Sequence, residues 1–350
     1  MSSWIFGPIK ALDLSAREAA VERQQQLTKP LGALGRLEEL AIDLAAMQGR
    51  VPTISAPFIC IFAADHGIAA TGVSAFPQEV TGQMVANFAS GGAAISVLAK
   101  TLLAPFEIVN LGTVGKTDFP GVQNSFIAAG TANMLETDAM TREQCAQALK
   151  AGQTSLLHAK SHGCELFIGG DMGIGNTTSA TVLAAAISGE SVTELTGPGT
   201  GLDDSGVARK IQIIEKVMAK HVESNLDPLI LLARVGGFEI AALVGSYISA
   251  AQQGISILVD GFICTAAAMV AVAIAPESRN WMIFSHGSAE PGHQLMLKHL
   301  QAKPLLDLQM RLGEGSGAAI CVPLLQMACK LHEQMATFAE AAVAGKLDEN

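Results

Sequence analysis

Aromatic side chains are scarce in this chain, with 13 Phe, two Trp and a single Tyr among 350 residues. That scarcity argues against a β-sandwich packed around aromatic pairs. Charge is sparse too, at 15% of residues, and 22 Lys and Arg against 32 Asp and Glu leave a net charge of −10. Nowhere do the basic residues cluster into the positive face that nucleic acid needs, so that class of partner is disfavoured. The six cysteines (Cys60, Cys145, Cys164, Cys264, Cys321 and Cys329) form no CxxC pair. They read as reduced core residues of a cytoplasmic protein. The most apolar run, Gly261 to Pro276, falls short of the roughly 20 residues a membrane-spanning helix requires, so it is expected to be a buried core helix. The opening MSSWIFGPIK lacks the basic and apolar regions of a secretory signal. What the chain does have is 35 Gly and a 49% hydrophobic fraction. That is enough apolar surface to offset the ordering entropy of a closely packed, helix-rich α/β fold.

Five apolar runs stop at Gly, Asp, His or Ser: PFICIFAADHG, FEIVNLGT (Phe106 to Thr113), CELFIGGD (Cys164 to Asp171), GISILVDGF (Gly254 to Phe262) and WMIFSHGS (Trp281 to Ser288). Each has the pattern of a strand buried on both faces. Helical stretches such as TREQCAQALKAGQTSLLHAK and NTTSATVLAAAISG lie between most of them. The alternation predicts an α/β fold: a Rossmann-like parallel sheet flanked by helices, with its ligand at the carboxyl ends of the strands. At the start, LGRLEELAIDLAAMQG puts Leu37, Leu40, Ala41, Leu44 and Met47 on one helical face. VPLLQMACKLHEQMATFAEAAV is amphipathic to near the end, and Cys321 and Cys329 share a face there if one helix runs through Pro323. The two ends are expected to meet as a small helical domain (residues 1–50 plus 305–350) beside a large α/β domain (51–304). No internal repeat or linker interrupts the chain.

Three Gly-rich segments invite chemistry. In GGDMGIGNTTSA a strand enters a helix through glycines, and Asn176, Thr177 and Thr178 open that helix. Free backbone N–H groups and hydroxyls there suit a phosphate. The segment lacks the Lys of a Walker loop and the third Gly of a dinucleotide fingerprint. It reads equally as a tight turn at Gly173 and Gly175 with Asn176 as a cap. TGPGTGLDDSG precedes Arg209 and Lys210; its Asp203 and Asp204 have the composition of a Mg²⁺-pyrophosphate site, though an Asp-rich turn and cap is the commoner reading. RLGEGSGAAI sets Glu314 between glycines, where apolar neighbours would raise a general base, although a lone Glu more often sits on the surface. His158 and His162 have helix-ligand spacing with no third ligand. Ser285 and His286 sit at a strand end.

Side by side, LTKPLGALGRLEELA, AADHGIAATGVSAFPQEVTGQMVANF, GGDMGIGNTTSA, TGPGTGLDD, VGGFEIAALVG, VDGFICTAAA, SHGSAEPGH and MRLGEGSGAA cover nearly the whole chain. In that order they resemble the nicotinate-nucleotide–dimethylbenzimidazole phosphoribosyltransferases, which build the lower-ligand nucleotide of cobalamin. The resemblance implies phosphoribosyl transfer from nicotinate mononucleotide to a benzimidazole-type base. It implies no metal or cofactor, and a homodimer. It makes Glu314 the catalytic base, displacing the surface reading. It assigns Asp171, Gly173, Gly175, Asn176, Thr177, Thr178, Gly199, Gly201, Lys210 and Ser285 to the nucleotide and its phosphate. It assigns Ser74, Phe76, Pro77, Gln83, Met84 and Leu312 to the base pocket. The chain departs from the family pattern at Asp171, where Glu is common, and at Pro198 and Gly287, where Arg is.

Overall fold

The computed structural model describes residues 3–115 and 118–344, so residues 1–2 and 345–350 of the expected helical ends lie outside the described residues. The strands are β1 (Pro57–Ala64), β2 (Phe106–Gly112), β3 (Gln123–Asn124), β4 (Leu166–Met172), β5 (Ser256–Val259) and β6 (Met282–Phe284). They form one parallel sheet in the order β3-β2-β1-β4-β5-β6. This is a doubly wound order whose direction reverses between β1 and β4, the point at which such sheets open a crevice. Five strands coincide with the apolar runs. The edge strand β3 has no such signal, because Gln123 and Asn124 are exposed and pair only with Val109 and Asn110 of β2. The last two strands are shorter than their runs. Beyond Phe284 the chain leaves the ladder and its backbone pairs with the segment around Leu306.

Helices α1 (Leu14–Gln26) and α2 (Arg36–Gln48) precede the sheet. Between strands come α3 (Glu79–Ser90), α4 (Ala94–Thr101), α5 (Arg142–Ser161), α6 (Asn176–Ser188), α7 (Val192–Leu195), α8 (Asp204–His221), α9 (Pro228–Val235), α10 (Phe238–Gln253) and α11 (Phe262–Ile274). Helices α12 (His293–His299) and α13 (Ser316–Gln334) close the chain. Local chemistry starts α5: Thr141 and Gln144 exchange side-chain and backbone hydrogen bonds of 3.1 and 2.9 Å, a capping box. Helices α10 and α11 are apolar around most of their circumference and are buried accordingly. Gly152 of α5 and Gly245 of α10 let these two helices touch backbone to backbone. A Cβ on either would overlap a carbonyl oxygen, of Ala242 or of Leu149.

At the ends of the chain, α2 packs on α13, and Arg23 of α1 donates to the carbonyls of His332, Glu333 and Met335 at the C-terminus of α13. Helix α13 runs unbroken through Pro323, and Cys321 and Cys329 are both buried on it. It stops at Gln334, earlier than the amphipathic pattern predicts. There the amides of Thr28 and Phe338 bond to Ala336 and Gln26 at 3.0 and 2.9 Å, which commits the backbone to pairing with the segment after α1. All six cysteines are free and buried. Among the described residues no helix is long and apolar enough to cross a membrane.

Candidate active site

The carboxyl ends of β1, β4, β5 and β6 deliver Asp65 and His66, Asp171, Asp260, and Ser285 and His286 to one edge of the sheet. A cavity of about 300 Å³ opens there, lined by Asp171, Asp260, His286 and Glu314 together with the turns that follow β4 and precede α13.

Glu314 occupies an unusual stretch of backbone. Gly313, Glu314 and Gly315 have φ of 82°, 63° and 74°, so a non-glycine residue sits in the left-handed region between two glycines that favour it. The turn lies directly on β4. A Cβ at Gly170 would stand 2.6 Å from the Glu314 carbonyl carbon, so only a glycine there lets the turn approach. Glu314 is 7% exposed, and its Oε2 is buried with no hydrogen-bond partner among the described residues. Burial pushes its carboxyl up to about 7. Asp260 pushes in the same direction and the Ile95 amide at the start of α4 opposes it.

Asp171, near the end of β4, faces the same cavity with its oxygens engaged. Asn176 Nδ2 donates to Oδ2 at 2.9 Å and Cys264 Sγ lies 3.5 Å from Oδ1. Burial pushes Asp171 up to about 7, with Asp260 and Glu239 adding to it. The helix cap beside it is Gly175, at φ 96°, so Asn176 is the first helical residue and its side chain serves Asp171. Under this turn lies a buried pair: His66 Nε2 is 2.6 Å from Glu239 Oε1, and His66 Nδ1 is 3.1 Å from Ser179 Oγ. Burial works against the charged imidazole, but Glu239, Asp65 and Asp171 outweigh it and raise His66.

At the other end of the cavity the start of α6 meets cations. Lys210 Nζ, on a buried side chain, donates to Thr177 Oγ1 at 2.8 Å and to the Gly197 carbonyl at 3.4 Å. Burial lowers it to about 8, with Glu290 opposing. Arg311 Nη1 reaches the Gly199 carbonyl at 3.2 Å. This corner holds helix N–H groups, a hydroxyl and two cations against one carboxylate, Glu290, which lies near both cations, and the balance is suited to an anion. The lining also has apolar side chains, Met172, Phe262, Ile263, Phe76 and Leu312; the last two are 51% and 57% exposed.

Of the residues singled out from sequence, Phe76, Asp171, Gly173, Asn176, Thr177, Gly199, Leu312 and Glu314 line the cavity. Lys210 touches it through Thr177. Gly175 caps α6 behind the wall, and Thr178 is fully buried within that helix. Ser285 lies behind His286, with its Oγ 3.0 Å from Nδ1. Gly201 is on an exposed turn, at φ 113°. Ser74 Oγ bonds Thr200 Oγ1 at 3.0 Å, tying the loop before α3 to the loop before α8. Pro77 and Gln83 are exposed and Met84 packs partly into the core, away from the cavity lining. Asp203 caps α8, accepting from Gly206 N at 2.7 Å and Ser205 Oγ at 2.9 Å. His158 bonds Glu107 at 3.0 Å. Among the described residues no group of three or more His, Cys, Asp or Glu is arranged to hold a metal ion. Asp260, Ser288, Glu290 and Arg311 line the cavity without having been singled out. Asp260 had a signal in its position directly after a buried apolar run; Glu290 had none.

The chain matches a phosphoribosyltransferase family model over residues 9–343. It is 57% identical over 346 residues to the nicotinate-nucleotide–dimethylbenzimidazole phosphoribosyltransferase of Pseudomonas syringae pv. syringae (strain B728a), covering 99% of each chain. It is 58% identical over 347 residues to the enzyme of that name from Pseudomonas fluorescens (strain Pf-5), again covering 99% of each. A crystal structure of the enzyme from Thermus thermophilus superposes with a TM-score of 0.91 at 42% identity, covering 96% of this chain and 100% of that one.

Proposed function

This chain belongs to the nicotinate-nucleotide–dimethylbenzimidazole phosphoribosyltransferase family, and on that premise we propose how its residues divide the reaction between them. It transfers the phosphoribosyl group of nicotinate mononucleotide to 5,6-dimethylbenzimidazole, releasing nicotinate and α-ribazole 5′-phosphate. The observation that carries the residue assignment is the buried Glu314 oxygen without a partner, facing a cavity whose far corner is built for an anion.

The leaving group in nicotinate mononucleotide is a pyridinium, so breaking the C1′–N bond discharges a cation and requires no strong acid. The incoming imidazole nitrogen displaces it in line, which inverts C1′ from β to α. Positioning supplies much of the acceleration, up to about 7–11 kcal/mol in well-oriented cases. In this reading Thr177, Lys210 and the start of α6 hold the phosphate, and Asp171 with Asn176 holds the ribose side. Phe76, Leu312 and Ile263 flank the base. Glu314 accepts the N–H proton of the benzimidazole, so that the product leaves as a neutral ring and return is blocked. A carboxyl raised to about 7 by burial is matched to that proton near neutral pH.

The test is an end-point assay of nicotinate mononucleotide with 5,6-dimethylbenzimidazole in EDTA, followed by chromatography. Nicotinate and α-ribazole phosphate appearing together support the reading, and a strict need for divalent metal sinks it. Glu314→Gln that retains turnover removes Glu314 from its role. The chain is further proposed to act in the cytoplasm as a homodimer, which sedimentation equilibrium checks by mass.

A further inference from the structure

Asp260 stands one residue past β5, is 1% exposed, and has no part in the steps above. Its two oxygens reach across to a different element. Oδ2 accepts from the Gly315 amide at 3.1 Å, and Oδ1 accepts from the Ala318 amide at 2.8 Å. These are orphan donors at the N-terminus of α13, of the kind that a capping side chain usually satisfies. The cap residue of α13 is Gly315, which has no side chain to offer. A carboxylate from the sheet takes its place and ties the turn that carries Glu314 to the end of β5. Glu314 needs such an anchor. Its φ of 63° is unfavourable for a residue with a Cβ, and among the described residues no hydrogen bond holds Oε2. Gly170 of the neighbouring strand β4 lies against the Glu314 carbonyl, so the turn packs on two adjacent strands of the sheet.

We propose that Asp260 is the positioning residue for Glu314: by holding the amides of Gly315 and Ala318 it fixes the strained turn and aims the Glu314 carboxylate at the proton of the incoming base. This inference rests on Glu314 as the base. Asp171 near the end of β4, His286 beyond β6 (Nδ1 3.8 Å from Asp260 Oδ1), and Glu290 and Arg311 are the other charged or titratable groups lining the cavity.

Asp260→Asn keeps the size and one acceptor oxygen but turns an NH₂ toward one of the two amides, so at least one of the holding bonds is lost. With Glu314 released, kcat is expected to fall by about 10- to 100-fold while the Kd for nicotinate mononucleotide moves by less than about threefold. The acid limb of kcat/KM should also move to lower pH, because a negative neighbour that raises Glu314 has been removed. A purely structural cap gives a different result: a lower Tm with kcat unchanged, and that outcome overturns the proposal whatever the acid limb does, since loss of the Asp260 charge moves that limb in either case. Asp260→Ser, whose hydroxyl can accept one of the amide bonds, carries the same readouts if the Asn variant does not fold. Glu314→Gln measured in parallel separates the two levels. If it keeps turnover, the base assignment fails and this proposal fails with it. If it is inactive while Asp260→Asn behaves as wild type, only the positioning role is lost.

Discussion

Asp171, near the end of β4, and Glu314, on a Gly-rich turn, reach the same cavity just ahead of helices whose caps are left-handed glycines, and burial pushes both carboxyls up to about 7. They differ in what holds them. Asp171 sits at a strand end with Asn176 on one oxygen and Cys264 beside the other. Glu314 sits on strained backbone with one oxygen free of partners among the described residues. Equal burial therefore gives two different tools. A carboxylate anchored at both oxygens keeps further lone pairs in a fixed place and is suited to hold a hydroxyl, and one with an unpartnered oxygen is suited to receive a proton.

The sharpest way to break this contrast is to neutralise each carboxyl in turn. Glu314→Gln should lower kcat by about 10²–10⁴-fold with nicotinate mononucleotide binding retained, as read by steady-state kinetics and calorimetry. Binding lost in step with turnover would mean that Glu314, too, is only a holding group. The pH profile separates the pair further. Because Glu314 must be ionised to act and is raised to about 7, kcat/KM should fall about tenfold per pH unit below that value. Asp171→Asn should leave that limb in place while raising KM for the nucleotide by about tenfold, the loss of roughly one charged hydrogen bond.

Stability runs the other way. The folded pKa of Asp171 lies above its ordinary value of 3.8, so its contribution is intact below about 4 and is lost as pH rises through about 7. In melts at pH 8, Asp171→Asn should accordingly gain on the wild type by on the order of 1–3 kcal/mol, an advantage that shrinks by pH 5. The smallest expected effect concerns the backbone, isolated by comparing two variants that both lack the carboxyl. Glu314→Gly relieves the φ of 63° and should be more stable than Glu314→Ala by about 1 kcal/mol, with turnover abolished in both. A Glu314→Gly less stable than Glu314→Ala would show that the turn is not strained.

Much of the fold is legible because its signals are local. Parallel strands buried on both faces need continuous apolar runs, and five such runs are present. The exposed pair Gln123 and Asn124 needs none, so β3 leaves no trace in the pattern. The amphipathic tail predicts one long helix, but the pairing of Leu27 with Thr337 ends it at Gln334, a contact between residues at opposite ends of the chain. At the site, Glu314 reads locally as a surface residue, and only the surrounding family motif argues otherwise. Ser285, Thr178, Gly175 and Gly201 sit near the cavity without lining it, since adjacency in a motif does not say which way a side chain faces.

Taken by itself, the order of residues determined the alternation of strands and helices, and with it the placing of Asp and His at strand ends, because periodicity and turn chemistry act over a few neighbours. Whether those ends converge was decided by the sheet order, which sets β1, β4, β5 and β6 side by side although some eighty residues separate β4 from β5. The raised pKa of Glu314, the grip of Asp260 on α13 and the fit of Gly170 against the Glu314 turn exist only in three dimensions. Desolvation and close contact depend on what the rest of the chain brings near, and no stretch of sequence carries that information alone.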